Sequence, residues 1–481
     1  MTKKDKTKEN GVYLAGKASE EVTGSMYLVT FDGHNILLEC GLWQSNKNGL
    51  LDAYKVNNAP FPFNPKDIEW IILNHAHIDH SGLIPRLYKE GCTARIITTE
   101  NTARIAEPLW FNSAYILEKE ASRLSRQTGR VYQPIYNKAD VEKALSFIDY
   151  YNGYDKIYYL DRDVRFQWLL NGHCVGATQV QLILGNNGDT KKILYTSDMG
   201  TIKPVNHYVT KTEIPNFYND IVLMETTYGD PERKAKRKRE GDLAELKGII
   251  NKTISKNGSV LMPCFSFAKT QEIMTELYLM FKDDPEFKTK IYLNSMLTVD
   301  ICKVYNNLFT NEQKELWDQV YKWDHFVYVR EYEESMQLLA DKHAKIIVSS
   351  SGFMTNGRVV DHAKQEVKNE NSSIVITGYP GSNDTYLAYR LLNHKDDKKI
   401  KIDGVNYAYN ASIYTLGSVS SHIDFDGLVE YGGQVRTNKL VLVHGDLNVK
   451  EKLKPYIIQR RSKNNLTNSV IVGKQGMFLP L

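Results

Sequence analysis

The chain has 481 residues, of which 42% are hydrophobic and 25% are charged. This composition is typical of folded globular proteins and excludes a disordered or fibrous chain. A chain of this length is too long to fold around one ordinary hydrophobic core, so we expect two domains, with room for a third. The net charge of +4 permits a polyanionic partner without demanding one.

The cysteine pattern and the lack of long apolar stretches indicate in which cellular compartment the chain is found. The five cysteines have irregular spacing and no CxxC pair, which excludes a disulfide framework. The charged N-terminal segment lacks the apolar core of a secretory signal, and no stretch approaches the length of a membrane span. We therefore expect a cytoplasmic chain with no membrane partner.

The first 226 residues contain short apolar runs bounded by turn residues, a pattern that predicts strands. Between the fourth and fifth runs, residues 101–127 carry apolar side chains at three- and four-residue spacing, which predicts a helix bent at Pro108. The strand-like runs are SMYLVTF, NILLECG, EWIILNH, ARIITTE, VRFQWLL, TQVQLILG, KILYTSD and DIVLMET.

From about Tyr228 onward, helical stretches alternate with isolated buried strands, which predicts a parallel α/β sheet. A basic run, RKAKRKR at residues 233–239, is either a solvated segment or a contact for phosphates. Strand-like runs return after the charged segment 393–399. We therefore predict a β-rich domain of residues 1–227 and 400–481, interrupted by an α/β domain of residues 228–399.

The segment NHAHIDHSG places three histidines and an aspartate within six positions. His75 and His77 follow a predicted strand and are two residues apart, so they project to the same side. Asp79 and His80 follow as the chain enters a helical stretch. Imidazole nitrogens and carboxylate oxygens are zinc ligands, and this cluster can supply two of them to each of two adjacent metals.

Further candidates stand alone at the ends of predicted strands. Each would by itself be read as a capping or core residue, but together they supply what a two-metal centre still needs: His173, Asp198, His422 and His444. In the α/β domain, the strand ends can cradle a phosphate with hydroxyls and backbone amides, or form ordinary turns. These positions are Ser349, Ser350, Ser351, Gly352, Gly378 and Tyr379.

An ordered set of motifs, covering nearly the whole chain, resembles the metallo-β-lactamase-fold nucleases of the β-CASP group. The resemblance is closest to the branch that holds the endonuclease subunit of the mRNA 3′-end cleavage complex and its prokaryotic relatives. It implies an α/β fold, an αββα sandwich with an inserted β-CASP domain built on a parallel sheet. The motifs are EVTGSMYLV, NAPFPFNPKDIEWIILNHAHIDHSGLIPRL, NGHCVGA, YTSDMGT, METTYGDPERK, PCFSFAKTQE, SSSGFMTNGRVV, TGYPG, SVSSHIDF and LVHGD.

The resemblance also implies two Zn²⁺ ions per chain and a role for each candidate. His75, His77 and His173 would hold one zinc. Asp79, His80 and His444 would hold the second. Asp198 would bridge the two zinc ions, and Asp198 and Asp79 would both take part in catalysis. His422 would be the general acid, oriented by Glu225. Two adjacent metals and a histidine that binds neither suit phosphodiester hydrolysis.

The sequence departs from the family pattern at several places. Glu39 stands where relatives usually carry an aspartate that hydrogen-bonds to a metal-bound histidine, so the extra methylene bears on ligand orientation. Asp230 and Pro231 stand where relatives often carry a histidine. Residues 382–384 and the segment NSMLTVD at 294–300 also differ from the usual pattern, and these changes bear on substrate preference.

The leading hypothesis is a zinc-dependent ribonuclease that cuts single-stranded RNA in a cleft between the two domains, as an endonuclease, a 5′-exonuclease or both. A DNA nuclease, or a hydrolase of a small ester or lactam, is the alternative within the same fold. A third hypothesis is a catalytically silent RNA-binding scaffold, which the presence of every candidate ligand disfavours. A homodimer is also expected from the resemblance.

Overall fold

The computed structural model describes residues 9–44, 49–186, 190–203, 207–233, 239–381, 384–394, 397–418, 420–467 and 469–481. The chain forms two compact units. The first unit comprises Met1–Lys234 and Ser421–Leu481, and the inserted unit comprises Ala235–Ser420. Of the helices described, none has the length and apolarity needed to cross a membrane.

The strands and helices of the described residues alternate along the chain. The strands are β1 (Gly11–Leu14), β2 (Tyr27–Phe31), β3 (His34–Leu38), β4 (Trp70–Ile72), β5 (Arg95–Thr98), β6 (Ile148–Tyr150), β7 (Ile157–Tyr159), β8 (Val164–Leu170), β9 (Thr178–Leu184), β10 (Lys191–Tyr195), β11 (Asn219–Glu225), β12 (Val260–Pro263), β13 (Ile291–Asn294), β14 (Phe326–Val329), β15 (Ile346–Ser349), β16 (Ser373–Ile376), β17 (Lys399–Ile402), β18 (Val405–Ala408), β19 (Ser412–Thr415), β20 (Thr437–Val443), β21 (Val470–Val472) and β22 (Phe478–Pro480). The helices are α1 (Leu50–Asn57), α2 (Ile78–Ser81), α3 (Ile84–Lys89), α4 (Glu100–Thr128), α5 (Lys138–Leu145), α6 (Arg239–Ser255), α7 (Lys269–Phe281), α8 (Met296–Tyr305), α9 (Asn311–Tyr321), α10 (Tyr332–Ala340), α11 (Arg358–Glu366), α12 (Leu387–Asn393), α13 (Phe425–Gln434) and α14 (Leu447–Lys463).

The first unit contains two seven-stranded sheets, in the orders β22-β1-β2-β3-β4-β5-β6 and β21-β20-β11-β10-β9-β8-β7. Alternate side chains of the two sheets share one core, for example Val12 and Leu14 of β1 with Phe166 and Trp168 of β8. The period-two burial shows that the sheets pack face to face.

Helices cover the outer faces of these sheets. Leu194 and Val222, on the outer face of the second sheet, share a core with Leu428 of α13 and Leu453 of α14. On the side of the first sheet, α5 packs against both α3 and α4, and α4 also contacts β6. This is the expected αββα sandwich, and that prediction is confirmed.

The inserted unit is built on a six-stranded sheet in the order β14-β13-β15-β12-β16-β19. Every pairing in this sheet is parallel. Its core packs strand residues such as Leu261 and Ile374 against Val359 of α11 and Leu391 of α12. A parallel sheet in this part of the chain was predicted from the alternation of helices and strands.

The boundaries between the units differ from the predicted ones at 227/228 and 399/400. The structure divides the chain after Lys234 and after Ser420. Residues 400–420 belong to the inserted unit because β19 pairs with β16, and β18 pairs with β17. The predicted helix at 101–127 is α4, which is helical on both sides of Pro108.

Candidate metal centre

The histidine-rich segment forms a loop and a short helix at the end of β4. His75 and His77 follow the strand, and Asp79 and His80 lie in α2. His75 and His80 are buried, whereas His77 and Asp79 are partly exposed. The turn from strand to helix therefore brings four candidate ligands to one end of the sandwich.

The segments before β2 and after β3 support this helix through their backbones. The N–H of Cys40 donates to the carbonyl of His80 over 2.9 Å, and the N–H of Ser25 donates to that of Asp79 over 2.8 Å. Gly41 lies so close that a Cβ atom there would be 1.6 Å from the Asp79 carbonyl oxygen. A side chain at position 41 would therefore displace the helix that carries two candidate ligands.

Three imidazoles form the first ligand group. The ring centroids of His75, His77 and His173 lie 5.0–5.1 Å from one another. Nδ1 of His77 is 3.2 Å from Nε2 of His173. Two nitrogens bound to one tetrahedral zinc at about 2.0–2.1 Å lie roughly 3.3 Å apart, so this spacing suits a shared cation. The buried Nε2 of His75 has no hydrogen-bond partner among the described residues.

The second ligand group combines two imidazoles with a carboxylate. Nε2 of His80 is 3.1 Å from Nε2 of His444. Oδ2 of Asp79 lies 3.8 Å from the first of these nitrogens and 3.7 Å from the second. This spacing again suits one shared cation.

Asp198 stands between the two groups. Its Oδ2 is 3.8 Å from Nε2 of His75 and 3.7 Å from Nε2 of His173. Its Oδ1 is 3.2 Å from Nε2 of His80 and 3.2 Å from Nδ1 of His444. One carboxylate oxygen thus faces each group, which is the arrangement of a bridging ligand. Together the residues form two clusters able to hold a metal ion.

The protonation states of the first group and of Asp198 suit metal binding. Burial, together with the nearby His75, lowers the pKa of His77 to about 3. Burial likewise holds the pKa of His173 well below its usual value, so both rings present neutral lone pairs. Burial alone would raise the pKa of Asp198, but His444 and His80 together lower it well below the usual value.

His80 shows that the second group attracts positive charge. Burial would lower the pKa of this histidine, but the carboxylates of Asp198, Glu39 and Asp79 raise it well above the usual value. Several buried carboxylates around one imidazole require a compensating cation, either a proton or a metal ion. The residues present therefore fit a divalent cation.

Glu39 lies beneath both groups and is fully buried. Its Oε2 is 2.5 Å from Nδ1 of His80 and accepts a hydrogen bond from the Tyr195 hydroxyl over 2.5 Å. Its Oε1 accepts from the Ser197 hydroxyl over 2.8 Å. Burial would raise the pKa of Glu39, but His80 and His75 lower it to about 2.

Other supporting side chains were not found from the sequence. The Thr227 hydroxyl is 3.0 Å from Nδ1 of His444. The Asn171 side chain accepts from the N–H of His173 over 2.9 Å and donates to the carbonyl of Asp198 over 2.7 Å. Thr227 and Asn171 each lie within two residues of a residue that the sequence singled out, and that proximity was the available signal.

His422 lies beside the cluster and outside both ligand groups. Its Nδ1 is 3.2 Å from Oε1 of Glu225, and its Nε2 is 3.9 Å from Oδ2 of Asp198. Glu225 is held in turn by the N–H groups of Met199 and Thr227. Burial would lower the pKa of His422, but Glu225 and Asp198 raise it above the usual value. Bound cations would oppose this shift.

The predicted phosphate-binding serines lie at the end of β15. The buried Ser349 donates its hydroxyl hydrogen bond to the carbonyl of Asn294 over 2.8 Å. Ser350 donates to the Ser295 hydroxyl over 2.8 Å, and the Ser351 hydroxyl is 3.5 Å from that of Thr355. These contacts lie within the inserted unit, and a role in substrate binding stays a prediction.

The remaining predicted substrate-binding positions lie in neighbouring loops of the same unit. A Cβ on Gly352 would be 2.9 Å from the ring of Phe265, whereas a Cβ on Gly378 would meet nothing within 4 Å. The ring of Tyr379 lies 6.2 Å from that of Phe353. Ser382, Asn383 and residues 234–238 of the basic run lie outside the described residues, so the interpretations based on them stay predictions.

Three family models match the chain in sequence order. They are the Metallo-beta-lactamase superfamily over residues 20–142, the Beta-Casp domain over residues 270–385, and the Zn-dependent metallo-hydrolase RNA specificity domain over residues 406–467. The chain belongs to the β-CASP group of the metallo-β-lactamase superfamily. This confirms the family and the class predicted from the sequence, a metal-binding hydrolase of the nuclease type.

Named relatives extend over most of the chain. Ribonuclease TTHA0252 of Thermus thermophilus is 26% identical over 447 residues, which are 89% of this chain and 92% of the relative. Probable RNase MJ4 of Methanocaldococcus jannaschii is 27% identical, with the same two coverages. Endoribonuclease YSH1 of Yarrowia lipolytica is 23% identical over 93% of this chain but only 52% of its own length.

One solved structure shows the same fold over the full length. It is described as a protein of unknown function from Enterococcus faecalis V583 and is 13% identical in sequence. The alignment covers 98% of this chain and 100% of that chain, with a TM-score of 0.52. At this identity the likeness concerns the fold alone.

Proposed function

We propose that this chain is a zinc-dependent ribonuclease that hydrolyses phosphodiester bonds of single-stranded RNA with two metal ions. The observation that carries the proposal is Asp198, whose two carboxylate oxygens face two separate ligand groups. A site for one metal needs no such bridge. Two zinc ions, when bound, would activate a water molecule and neutralise charge on the scissile phosphate.

The ligand roles follow the two groups. His75, His77 and His173 would hold one ion, and Asp79, His80 and His444 would hold the other. These roles use the spacings of 3.1–3.2 Å between facing imidazole nitrogens. The neutral rings of the first group donate lone pairs, and the ionised carboxylates balance the charge of the cations.

His422 protonates the leaving oxygen. Glu225 accepts the hydrogen bond from Nδ1, so the proton available for transfer is on Nε2, the nitrogen nearer to Asp198. The two backbone bonds to Glu225 hold that carboxylate in place. A positioned general acid of this kind contributes about 10²–10⁴ to the rate.

The relatives and the third family model support RNA as the substrate. The Thermus relative is named a ribonuclease and the Yarrowia relative an endoribonuclease. The family model over residues 406–467 is described as an RNA specificity domain. Location in the cytoplasm and formation of a homodimer stay predictions from the sequence.

The test combines metal content with cleavage. We expect two equivalents of zinc per chain and cleavage of single-stranded RNA in preference to the DNA of the same sequence. Substrates labelled internally and at the 5′ end distinguish endonuclease from 5′-exonuclease products. The variant His422→Ala should retain both zinc ions and cleave about 10²–10⁴-fold more slowly.

Two results would contradict the proposal. A purified chain that binds fewer than two equivalents under saturating zinc would exclude the two-metal mechanism. Faster cleavage of DNA than of RNA would favour the DNA nuclease alternative. As a control, His343→Ala replaces a histidine whose imidazole is 94% exposed, and it should change neither measurement.

A further inference from the structure

Ser197 has an unusual backbone conformation for its residue type. Its φ angle is +52°, in the left-handed region that glycine adopts readily and that side chains disfavour. The residue is buried and directly precedes Asp198. A strained residue beside a ligand persists where its side chain supplies contacts that glycine cannot.

The Ser197 hydroxyl connects His75 to Glu39. It donates to Oε1 of Glu39 over 2.8 Å and lies 3.0 Å from Nδ1 of His75. A hydroxyl has one proton, so its oxygen is left to accept a hydrogen bond from Nδ1–H of the imidazole. This arrangement places the lone pair of His75 on Nε2, the buried atom that has no hydrogen-bond partner among the described residues.

Glu39 by itself cannot accept the hydrogen bond from Nδ1–H of His75. The distance from its Oε1 to Nδ1 of His75 is 3.6 Å, which is too long for a hydrogen bond. Its other oxygen contacts Nδ1 of His80 directly at 2.5 Å. The same carboxylate therefore serves one histidine of each ligand group, directly for His80 and through Ser197 for His75.

We propose that Ser197 is a positioning residue that orients His75 and sets the metal affinity of the first ligand group independently of the second. This inference rests on the proposed two-metal function. Side chains that orient a metal-bound histidine typically change metal affinity 10–100-fold when they are lost. Because His80 contacts Glu39 without using Ser197, the second group should keep its affinity.

The variant Ser197→Gly tests this inference with little danger of unfolding the protein. Glycine suits a φ of +52°, and this relief offsets part of the stability lost with the hydrogen bonds of the hydroxyl, so the variant should still fold. In competition with a chelator, we expect one of the two zinc equivalents to be lost at a roughly 10–100-fold lower chelator concentration than in the original chain. The visible spectrum of the Co²⁺-loaded chain should change for one ion only.

Double variants identify which group loses its ion. With His77→Ala, which removes a ligand of the first group, adding Ser197→Gly should cause no further loss of metal. With Asp79→Ala, which removes a ligand of the second group, adding Ser197→Gly should weaken the ion that is left. Loss from the opposite group would overturn the inference.

Asp155 provides a matched control. It lies in the same unit, has a φ of +55° and is exposed, so Asp155→Gly makes the same backbone change away from the metal centre. It should leave metal binding unchanged. Ser197→Ala removes the hydroxyl without adding glycine, and it should repeat the metal loss of Ser197→Gly.

The outcomes separate this inference from the proposed function. If the original chain fails to bind two equivalents, the proposed function fails first. If it binds two, and Ser197→Gly retains both at the chelator concentration that the original chain tolerates, only the role of Ser197 is overturned.

Discussion

Three residues with positive φ angles meet at the metal centre. Glu39, Ser197 and His444 have φ values of +59°, +52° and +49°. Each also directs a side chain into the cluster, as a ligand or as a partner of a ligand. Left-handed backbone is costly for such residues, and it tends to be kept where surrounding contacts fix it for function.

His362, a buried histidine of the inserted unit, is held in its neutral form by its surroundings. Nε2 of His362 accepts a hydrogen bond from the Asn294 side chain over 2.6 Å. The orientation of that amide is fixed because its oxygen accepts from Arg358. Burial lowers the pKa of His362 to about 4. A protonated ring would lose the acceptor nitrogen, so the fold holds the neutral form.

We therefore expect acid to destabilise the inserted unit through His362. An unfolded histidine has a pKa of about 6.5, so below that pH the unfolded chain takes up a proton that the folded chain excludes. The contribution of neutral His362 to the free energy of unfolding is complete above pH 6.5. As the pH falls toward 4, this contribution decreases by up to roughly 3 kcal/mol. Denaturant unfolding at a series of pH values measures this loss.

The variant His362→Gln isolates this one group. Its amide oxygen can accept the bond from Asn294 and does not titrate. The two chains share all other titrating groups. The free energy of unfolding of the original chain, relative to that of the variant, should therefore decrease as the pH falls below 6.5. Parallel pH profiles for the two chains would show that His362 does not carry the effect.

Among the elements, the position of α2 depends on the chain after β3 and on Ser25, which precedes β2. Gly41 packs against the backbone of Asp79, where a Cβ atom would approach the carbonyl oxygen to 1.6 Å. The close approach is held by the hydrogen bond from Cys40 to His80 on one side and by that from Ser25 to Asp79 on the other. The metal ligands of α2 therefore depend on a neighbouring segment with no ligand of its own.

We expect Gly41→Ala to destabilise the protein even without metal. The added methyl group must displace backbone, which costs about 1–3 kcal/mol or more. Metal affinity should fall with it, because Asp79 and His80 move together. Thermal unfolding of the metal-free chain measures the first effect, and zinc titration measures the second. Gly248→Ala is the control, since its Cβ would meet nothing within 4 Å. Unchanged unfolding of Gly41→Ala would contradict the packing argument.

Across the whole molecule, the inserted unit comes in the chain between two strands that pair side by side. β11 and β20 form a parallel pair in which Glu225 is opposite Val443. The next residue after that pair is His444, so the strand pairing brings it beside the loops of the first part of the chain.

Metal removal should affect the two units differently. All seven candidate ligands lie in the first unit, and a ligand that binds only the folded state stabilises the part it binds, by about 2.7 kcal/mol at 100 times its Kd. We expect a chelator to increase amide hydrogen exchange in β4, β11 and β20 and to leave β12, β15 and β16 unchanged. An equal increase in both units would contradict this expectation. Chelator added to His75→Ala should produce a smaller change.

Much of the fold was predictable because its signals are local. Strands such as β2, β8 and β11 are short apolar runs with clear ends, and their positions were predicted within a few residues. The structure places the end of the inserted unit after Ser420, whereas the sequence placed it after residue 399. Strands in the segment 400–420 look alike whichever sheet they join, and only the pairing of β19 with β16 assigns them.

The chain alone indicates which side chains could bind metal and which family the motifs resemble, because ligand chemistry and motif spacing are properties of the chain. Tertiary structure decided how those side chains are grouped. It places the two oxygens of Asp198 toward different groups and His444 beside His80. It also gives Ser197 a link to His75 that no spacing could indicate. Strand pairing and buried hydrogen bonds join residues that are far apart in sequence, and no local pattern encodes those contacts.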